Sequence, residues 1–551
     1  MPNNYASHVS RKVTPQTQPV PGRTDQVQNS AGGYVFAVKP MEQLKRFLIL
    51  GSEGGTYYAT ERELTIKNVT CLDTCLQTNA DATIDLICDI SKNGRAPKNA
   101  PAVFCMAYIM GKGGELSNKV AARLKEVCRI PTDLFAFVAA AREFRGMGRA
   151  FTNAIADWYN STPADKLAYH MTKYQNRDGW SHGDLLKLCH AVPPSDAHSA
   201  MYRLATVGKD GMGARNVKRR KADGTEYVKE YPDVSMHLPA LYAQIEEIKA
   251  EENPKRAAEL IRKYRAVREV IPTEMLNHVE VWEALLEEMP ATALLRNLGK
   301  MTSIGMLNPM SKNMKLVVSK LTDKEFIKRG RLHPMNVLMA SKVYQMGRGV
   351  KGSLSWAPTP GIIHALDDAF YLGFDAVEPT GKNHMFGIDV SGSMGMAMNN
   401  SLLTCAEGAA AMAMVGVRCE PWTACYGFSH VFKELPFTKT MRLDQALRLT
   451  RDMNFGSTDA SLAMTYARTN KLEVDAFVII TDNETYAGSV HPYQALNQYR
   501  QAMGRDAKLI VIGMTSTGFT IADPRDPGML DIAGFDTTVP TVMSSFVGGS
   551  L

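Results

Sequence analysis

The sequence predicts a multidomain chain: an array of stacked α-helix pairs followed by an α/β domain with a doubly wound sheet. From about Gly33 to Asp375, apolar residues recur at helical spacing with short links and almost no strand-like alternation. After Val377-Glu-Pro-Thr-Gly-Lys382 the periodicity changes, and apolar strand-like runs alternate with helical ones. The length of 551 residues exceeds what one small core organises, so two or more domains are expected. The expected division is a tail over 1–32, a helical array over 33–376 and an α/β domain over 377–551.

Residues 1–30 are rich in Pro, Gln, Asn, Ser and Thr and poor in large apolar side chains, which predicts a mobile tail. Helical runs then follow at Met41–Ile49, Asp81–Ile90, Val103–Ile109, Val120–Val127 and Leu134–Arg145. Further runs are Leu185–His190, Met236–Ile248, Ala257–Val270, Val281–Met289 and Ala291–Met301, with Pro97, Pro131, Pro193 and Pro290 as punctuation. Such a succession predicts a solenoid of the HEAT kind, able to close into a ring, although no strict sequence period is present. The α/β part alternates His384–Asp389, Ser401–Val417, Trp422–Phe428, Leu443–Met453, Ala460–Thr469, Ala476–Thr481, Pro492–Met503 and Lys508–Met514.

No apolar run approaches the ~20 residues of a membrane span, and no signal-peptide core opens the chain. Nine cysteines without Cys-x-x-Cys pairs suit buried, reduced thiols in a cytoplasmic protein. Residues 381–551 hold 13 Lys and Arg against 16 Asp and Glu, a net −3, so residues 1–380 carry +10 of the total +7. Residues 116–222 alone hold 18 basic and 9 acidic residues. That clustering predicts a polyanionic partner over a merely solvated helix face.

The densest chemical signal is Phe386-Gly-Ile-Asp-Val-Ser-Gly-Ser-Met-Gly395. Asp389, Ser391 and Ser393 offer one carboxylate and two hydroxyls in a tight loop after an apolar strand. Such hard oxygen donors suit a divalent cation, Mg²⁺ above all. Thr458, in a polar loop ahead of a helical run, and Asp482, at the end of another apolar strand, complete the predicted set. In open α/β sheets ligands gather at the carboxyl ends of strands. The pattern resembles the metal-ion-dependent adhesion site of von Willebrand factor A domains.

In the helical half, Thr172–His190 mixes Lys173, Arg177, Lys187, His182 and His190 with Tyr174 and Trp180, and both histidines are expected at the helix surface. Basic residues beside aromatics suit phosphates and bases. Trp180 is expected in the core, and Ser181 with Asp184 reads as a variant capping box. Gly208–Pro232, with Arg215 and Lys218-Arg219-Arg220-Lys221, reads as a flexible basic loop able to reach phosphates.

Taken together, Thr172–His190, Glu280–Met301, Val377–Lys382, Thr481–Gly488 and Met514–Pro524 resemble the Ro autoantigen family, a TROVE module joined to a von Willebrand factor A domain. The resemblance runs from about residue 33 to the end. It implies a ring of HEAT-like helices closed by the α/β domain. It also implies Y-type RNA on the outer surface at Lys173, Arg177 and His190, and single-stranded 3′ ends of misfolded or 3′-extended RNAs in the hole. Arg215, Arg219 and Arg220 are added as RNA contacts from their charge, in a segment unlike vertebrate relatives. The expected protein is a monomer in a Ro ribonucleoprotein, meeting an RNA-processing exonuclease through the RNA. No nucleophile–base pair or dense acidic cluster supports catalysis. The alternative is a metal-dependent protein-binding adhesion module on a helical scaffold; a metal-dependent phosphodiesterase is a distant third.

Overall fold

The computed structural model describes residues 13–51, 61–144, 148–221, 223–350, 353–374, 379–397, 402–451, 453, 456–534 and 538–549. Its helical array begins with α1 (Pro40–Leu50), α2 (Glu61–Lys92), α3 (Ala100–Lys112), α4 (Gly114–Val127), α5 (Pro131–Phe144), α6 (Arg149–Asn160), α7 (Ala164–Lys173), α8 (His182–Cys189) and α9 (Asp196–Val207). It continues with α10 (Ala240–Ala250), α11 (Pro254–Tyr264), α12 (Val279–Glu287), α13 (Ala291–Ser303), α14 (Lys312–Leu321), α15 (Lys324–Arg329), α16 (Pro334–Gln345) and α17 (Pro360–Leu372). α2 bends at Asn79, whose backbone leaves the helical region. Prolines stand at or just before the first turn of α1, α3, α11, α16 and α17, where a missing N–H costs nothing.

Short strands interrupt and flank this array: β1 (Gln26–Gln28), β2 (Tyr34–Ala37), β3 (Asn176–Arg177), β4 (Trp180–Ser181), β5 (Arg215–Arg220) and β6 (Glu226–Tyr231). The α/β domain then contains β7 (Asn383–Asp389), β8 (Trp422–Phe428), β9 (Phe432–Leu435), β10 (Ala476–Thr481), β11 (Lys508–Gly513), β12 (Phe519–Thr520) and β13 (Met529–Ala533). Its helices are α18 (Cys405–Cys419), α19 (Leu443–Arg451), α20 (Leu462–Thr469), α21 (Pro492–Met503) and α22 (Val539–Gly548).

The main sheet has the order β13-β11-β10-β7-β8-β9 and is parallel except for β9. Both faces are covered, which is why its strands read as near-continuous apolar runs. In β10, Ala476, Val478 and Ile480 face a core shared with α18, α19 and α22; Phe477 and Ile479 face α20 and α21. Gly387 and Gly416 permit close approach there. A Cβ on Gly387 would lie 2.7 Å from Ile479, and one on Gly416 would lie 2.3 Å from the Phe386 ring.

Residues 13–32 depart from the expected mobile tail. Thr14 and Gln16 are buried, and β1 and β2 join β12 in a three-stranded antiparallel sheet against the α/β domain. Polar composition misled here because these side chains are satisfied by hydrogen bonds to distant backbone rather than by water. Residues 1–12 of the expected tail lie outside the described residues. β2 also replaces the helix-only reading after Gly33.

Both ends of the array dock on the α/β domain, so the chain forms a closed circuit. At the N-terminal end the Arg46 guanidinium is 1% exposed and pairs with Asp531. It also donates to the carbonyls of Thr517, 3.0 Å away, and Phe519, 2.8 Å away. At the C-terminal end Lys342 of α16 reaches Glu407 of α18 at 2.7 Å, and Asp367 of α17 accepts from the Leu443 amide at 3.0 Å. Arg418 lies 3.6 Å from the centre of the Tyr371 ring. A single apolar core runs from Ile245 in α10 through α17 into one face of the sheet. Within the circuit, the Arg331 guanidinium donates to the Lys92 carbonyl.

The expected loop at 208–232 is also replaced. After a short 3₁₀ turn at Lys209–Gly211, β5 and β6 pair antiparallel over six residues each as an exposed hairpin. All nine cysteines are free thiols, and no helix among the described residues is long and apolar enough to cross a membrane. Replacing Arg46 by Met leaves Asp531 and two carbonyls without their buried partner. This is expected to cost about 3–5 kcal/mol, read as a lower denaturant midpoint and faster proteolysis at the α1–β13 seam.

Candidate functional site

Asp389 ends β7, and Asp482 follows the last residue of the adjacent β10. The chain runs from β7 to β8 and β9 on one side, then returns to β10 on the other. The two carboxylates therefore sit at the topological switch point, where parallel sheets open a crevice. Asp389, Ser391, Ser393, Thr458 and Asp482 are all buried.

Hydroxyls link the two acids. Ser391 donates to Asp389 Oδ1 through its amide at 2.9 Å and its hydroxyl at 2.5 Å. Ser391 and Ser393 hydroxyls are 3.1 Å apart, and Ser393 donates to Asp482. Thr458 is tied to the loop that follows Asp482, because its carbonyl accepts from the Tyr486 and Ala487 amides at 3.0 and 2.9 Å. Burial and the charge of Asp482 push the Asp389 carboxyl up to about 7, and burial pushes Asp482 up as well. Among the described residues neither acid has an ion-pair partner. Two buried, mutually repelling carboxylates ringed by hydroxyls fit a divalent cation, which would relieve both. No group of three or more His, Cys, Asp and Glu side chains among the described residues could hold a metal; this donor set has two carboxylates and is otherwise hydroxyl.

Further contributors were not singled out from the sequence. Thr481 donates to Asp389 Oδ2 at 2.6 Å. Glu484 is 2% exposed beside Asp482, and burial with that charge pushes it up to about 7. The stretch Thr481–Gly488 signalled both. Gln16 and Asn29 had no signal. Gln16 bridges Asp459 and the Val490 carbonyl at 2.8 and 2.9 Å and accepts from Thr485. Asn29 donates to the carbonyls of Asn483 and Thr485 at 3.2 and 2.9 Å. The docked N-terminal segment thus straps down the loop that carries Asp482. Space for the strap is tight: a Cβ on Gly488 would lie 2.2 Å from Gln16.

The predicted basic residues occupy two surfaces. Lys173, Arg177, Lys187 and His190 come from the compact knot α7–β3–β4–α8. Lys173 ends α7, half-buried, with its ammonium 3.0 Å from the Tyr169 hydroxyl and over the rings of Tyr169 and Tyr174. Arg177 is exposed on β3, with Asp178 3.6 Å away. Lys187 and His190 are exposed on the last turn of α8 and its cap, where His190 adopts a left-handed conformation with φ 49°. The capping box of Ser181 and Asp184 starts that helix as expected. Arg215, Arg219 and Arg220 lie instead on the β5–β6 hairpin, where Arg220 pairs with Glu226 at 3.1 Å.

His182 differs from the expected surface residue. It is 4% exposed, bonded to the Tyr159 hydroxyl and the Tyr174 carbonyl at 2.8 Å each, and set edge-on to Phe135. It pins the knot rather than contacting solvent. Trp180 is half-buried against the helical core, with Arg142 5.7 Å from its ring centre.

A helical array closed on an α/β domain with an Asp-x-Ser-x-Ser loop at its switch point defines a TROVE module joined to a von Willebrand factor A-type domain. The family model described as "TROVE domain" matches residues 27–343, and that described as "Ro60 vWA domain" matches residues 383–547. The RNA-binding protein RO60 of Deinococcus radiodurans is 37% identical, with 98% of this chain and 99% of the relative covered. That of Caenorhabditis elegans is 36% identical, with 96% and 90% covered. The crystal structure of the D. radiodurans RO (RSR) protein matches with a TM-score of 0.66 at 35% identity, covering 93% of this chain and all of that one. The chain belongs to the Ro family of TROVE proteins.

Burial lowers both His182 and His170 to about 4. The fold holds them neutral, whereas the unfolded chain takes up their protons below its ordinary value near 6.5. Their contribution is complete above pH 6.5 and is lost as pH falls towards 4. At pH 5 each is expected to withdraw on the order of 1–2 kcal/mol relative to pH 7. His182→Phe lowers overall stability but reduces the difference in denaturant midpoint between pH 7 and pH 5; an unchanged difference contradicts the assignment.

Proposed function

We propose that this chain is a non-catalytic RNA-binding protein of a Ro ribonucleoprotein. Lys173, Arg177, Lys187 and His190 bind Y-type RNA on the outer surface, and the circuit of helices takes single-stranded 3′ ends of misfolded or 3′-extended RNAs, serving RNA quality control or processing. The carrying observation is the α7–α8 knot. Within a family whose relatives are described as RNA-binding, it presents exposed Arg177, Lys187 and His190 beside a Lys173 pre-positioned over two tyrosines. Phosphate contacts then dominate affinity and make it fall with salt. Asp389, Ser391, Ser393, Thr458 and Asp482 hold Mg²⁺, leaving a position for an oxygen of a partner. The protein acts as a cytoplasmic monomer and meets an exonuclease through the shared RNA.

Binding of a duplex with a 3′ single-stranded tail is expected to be tighter than that of the blunt duplex and to weaken steeply along a salt series. Equal binding of both removes the reading of captured ends, and binding of neither shifts the function to a protein-binding module. Lys173→Ala, Arg177→Ala and His190→Ala combined are expected to weaken Y-type RNA binding at least tenfold; unchanged affinity contradicts the outer site. Asp389→Ala is expected to abolish Mg²⁺ binding by calorimetry while changing RNA affinity less than threefold, because the basic surfaces lie on other elements. Shortening of RNA that requires Mg²⁺ and Asp389 would overturn the non-catalytic reading.

A further inference from the structure

The β5–β6 hairpin stands out because nothing in the fold accounts for its chemistry. Among the described residues its strands pair only with each other, and every described residue from Lys218 to Glu230 is exposed. An isolated two-stranded hairpin is marginal in water. This one has a built base: Arg203 donates to the carbonyls of Pro232 and Gly213, and the guanidinium groups of Arg203 and Arg215 lie 5.7 and 5.2 Å from the Tyr231 ring centre. At the tip, Gly224 adopts φ 87° and donates to the Lys221 carbonyl, while Asp223 accepts from the Thr225 amide.

The register divides its charges. Directly paired residues lie on one face of a ribbon, and successive residues alternate between faces. Arg215 pairs with Tyr231, Val217 with Lys229, and Arg219 with Tyr227. That face therefore carries three cations, two tyrosines and no acid. Asn216 pairs with Glu230, Lys218 with Val228, and Arg220 with Glu226. The opposite face has two cations and two acids, and Arg220 is already neutralised by Glu226 at 3.1 Å. On the first face Arg219 donates to the Tyr231 hydroxyl at 3.1 Å, Lys229 lies 5.2 Å from that ring centre, and Tyr227 is 40% exposed.

We propose that this basic, tyrosine-bearing face is a second RNA-binding site, one that takes unpaired RNA: a loop or a single-stranded segment. The inference rests on the RNA-binding reading above and extends it to a separate element. Arg215, Arg219 and Lys229 meet phosphates, and Tyr227 stacks on a base. Charge complementarity selects a polyanion. The exposed ring selects unpaired bases, because the deep, narrow major groove of an RNA duplex does not admit side chains and its bases are already stacked. Sequence preference is weak, since stacking and phosphate contacts read no base edge.

The test compares two variants of the full chain that lose the same charge and residue type from opposite faces, Lys229→Gln and Lys218→Gln. Binding of a single-stranded oligouridine and of a blunt RNA duplex is followed by fluorescence anisotropy across a salt series. The first variant is expected to lose at least fivefold in oligouridine affinity with a shallower salt dependence, the second less than twofold, and duplex binding is expected to be little changed in either. Tyr227→Ala, which alters no charge, is expected to lose threefold or more for oligouridine alone. Equal losses from both faces would reduce the ribbon to a contributor of net charge and overturn the proposal, as would no loss from either or an unaltered Tyr227→Ala. If oligouridine binding is abolished by Lys173→Ala, Arg177→Ala and His190→Ala yet untouched by the ribbon variants, the ribbon proposal fails and the RNA-binding function stands. If the unaltered chain binds no RNA at all, the function itself fails.

Discussion

The seam between the N-terminal segment and the α/β domain is the constraint on which the remaining architecture depends. An array of helix pairs has two free ends, and its curvature alone does not bring them together. Here Arg46 is buried against Asp531 and two carbonyls, while β2 adds to β12, so the first helix is fixed to the same body that receives α17. A buried guanidinium is costly unless its donors are met. That makes the seam specific: another docking angle would strand the charge.

The same segment also shapes the predicted cation site. The loop after β10 carries Asp482, and its backbone carbonyls are bound by Asn29 and Gln16. Ala31 donates to Glu484 at 3.1 Å. Closure of the helical circuit and the geometry of the donor set are therefore parts of one interlocked region. The carboxylates lie at the end of the sheet, whereas the exposed cations lie on α8, on the strands around it and on the hairpin. This separation lets the two chemistries be altered independently.

Much of the molecule was legible from local pattern. Helical periodicity marked the array, and apolar runs of strand length marked the doubly wound sheet, because burial on one or two faces leaves that imprint on adjacent residues. Asp389, Ser391, Ser393, Thr458 and Asp482 were legible as a candidate donor set, because carboxylates and hydroxyls at strand ends are a chemical signature as well as a structural one. The hairpin was missed because Lys218-Arg219-Arg220-Lys221 hides any alternation of apolar and polar residues: both faces are solvated. His182 was misread because its burial depends on Tyr159 and Phe135, which precede it by a helix or more.

The sequence by itself determined the two classes of domain, the donor chemistry of the proposed cation site and the concentration of positive charge in one window. These follow from residue type and short-range spacing. Only the tertiary structure decided that residues 13–32 are a strap rather than a tail, since Gln16 and Asn29 find partners 443 to 474 positions away. It also decided which cations of the hairpin share a face, because strand register is a pairing between segments and appears in neither segment alone.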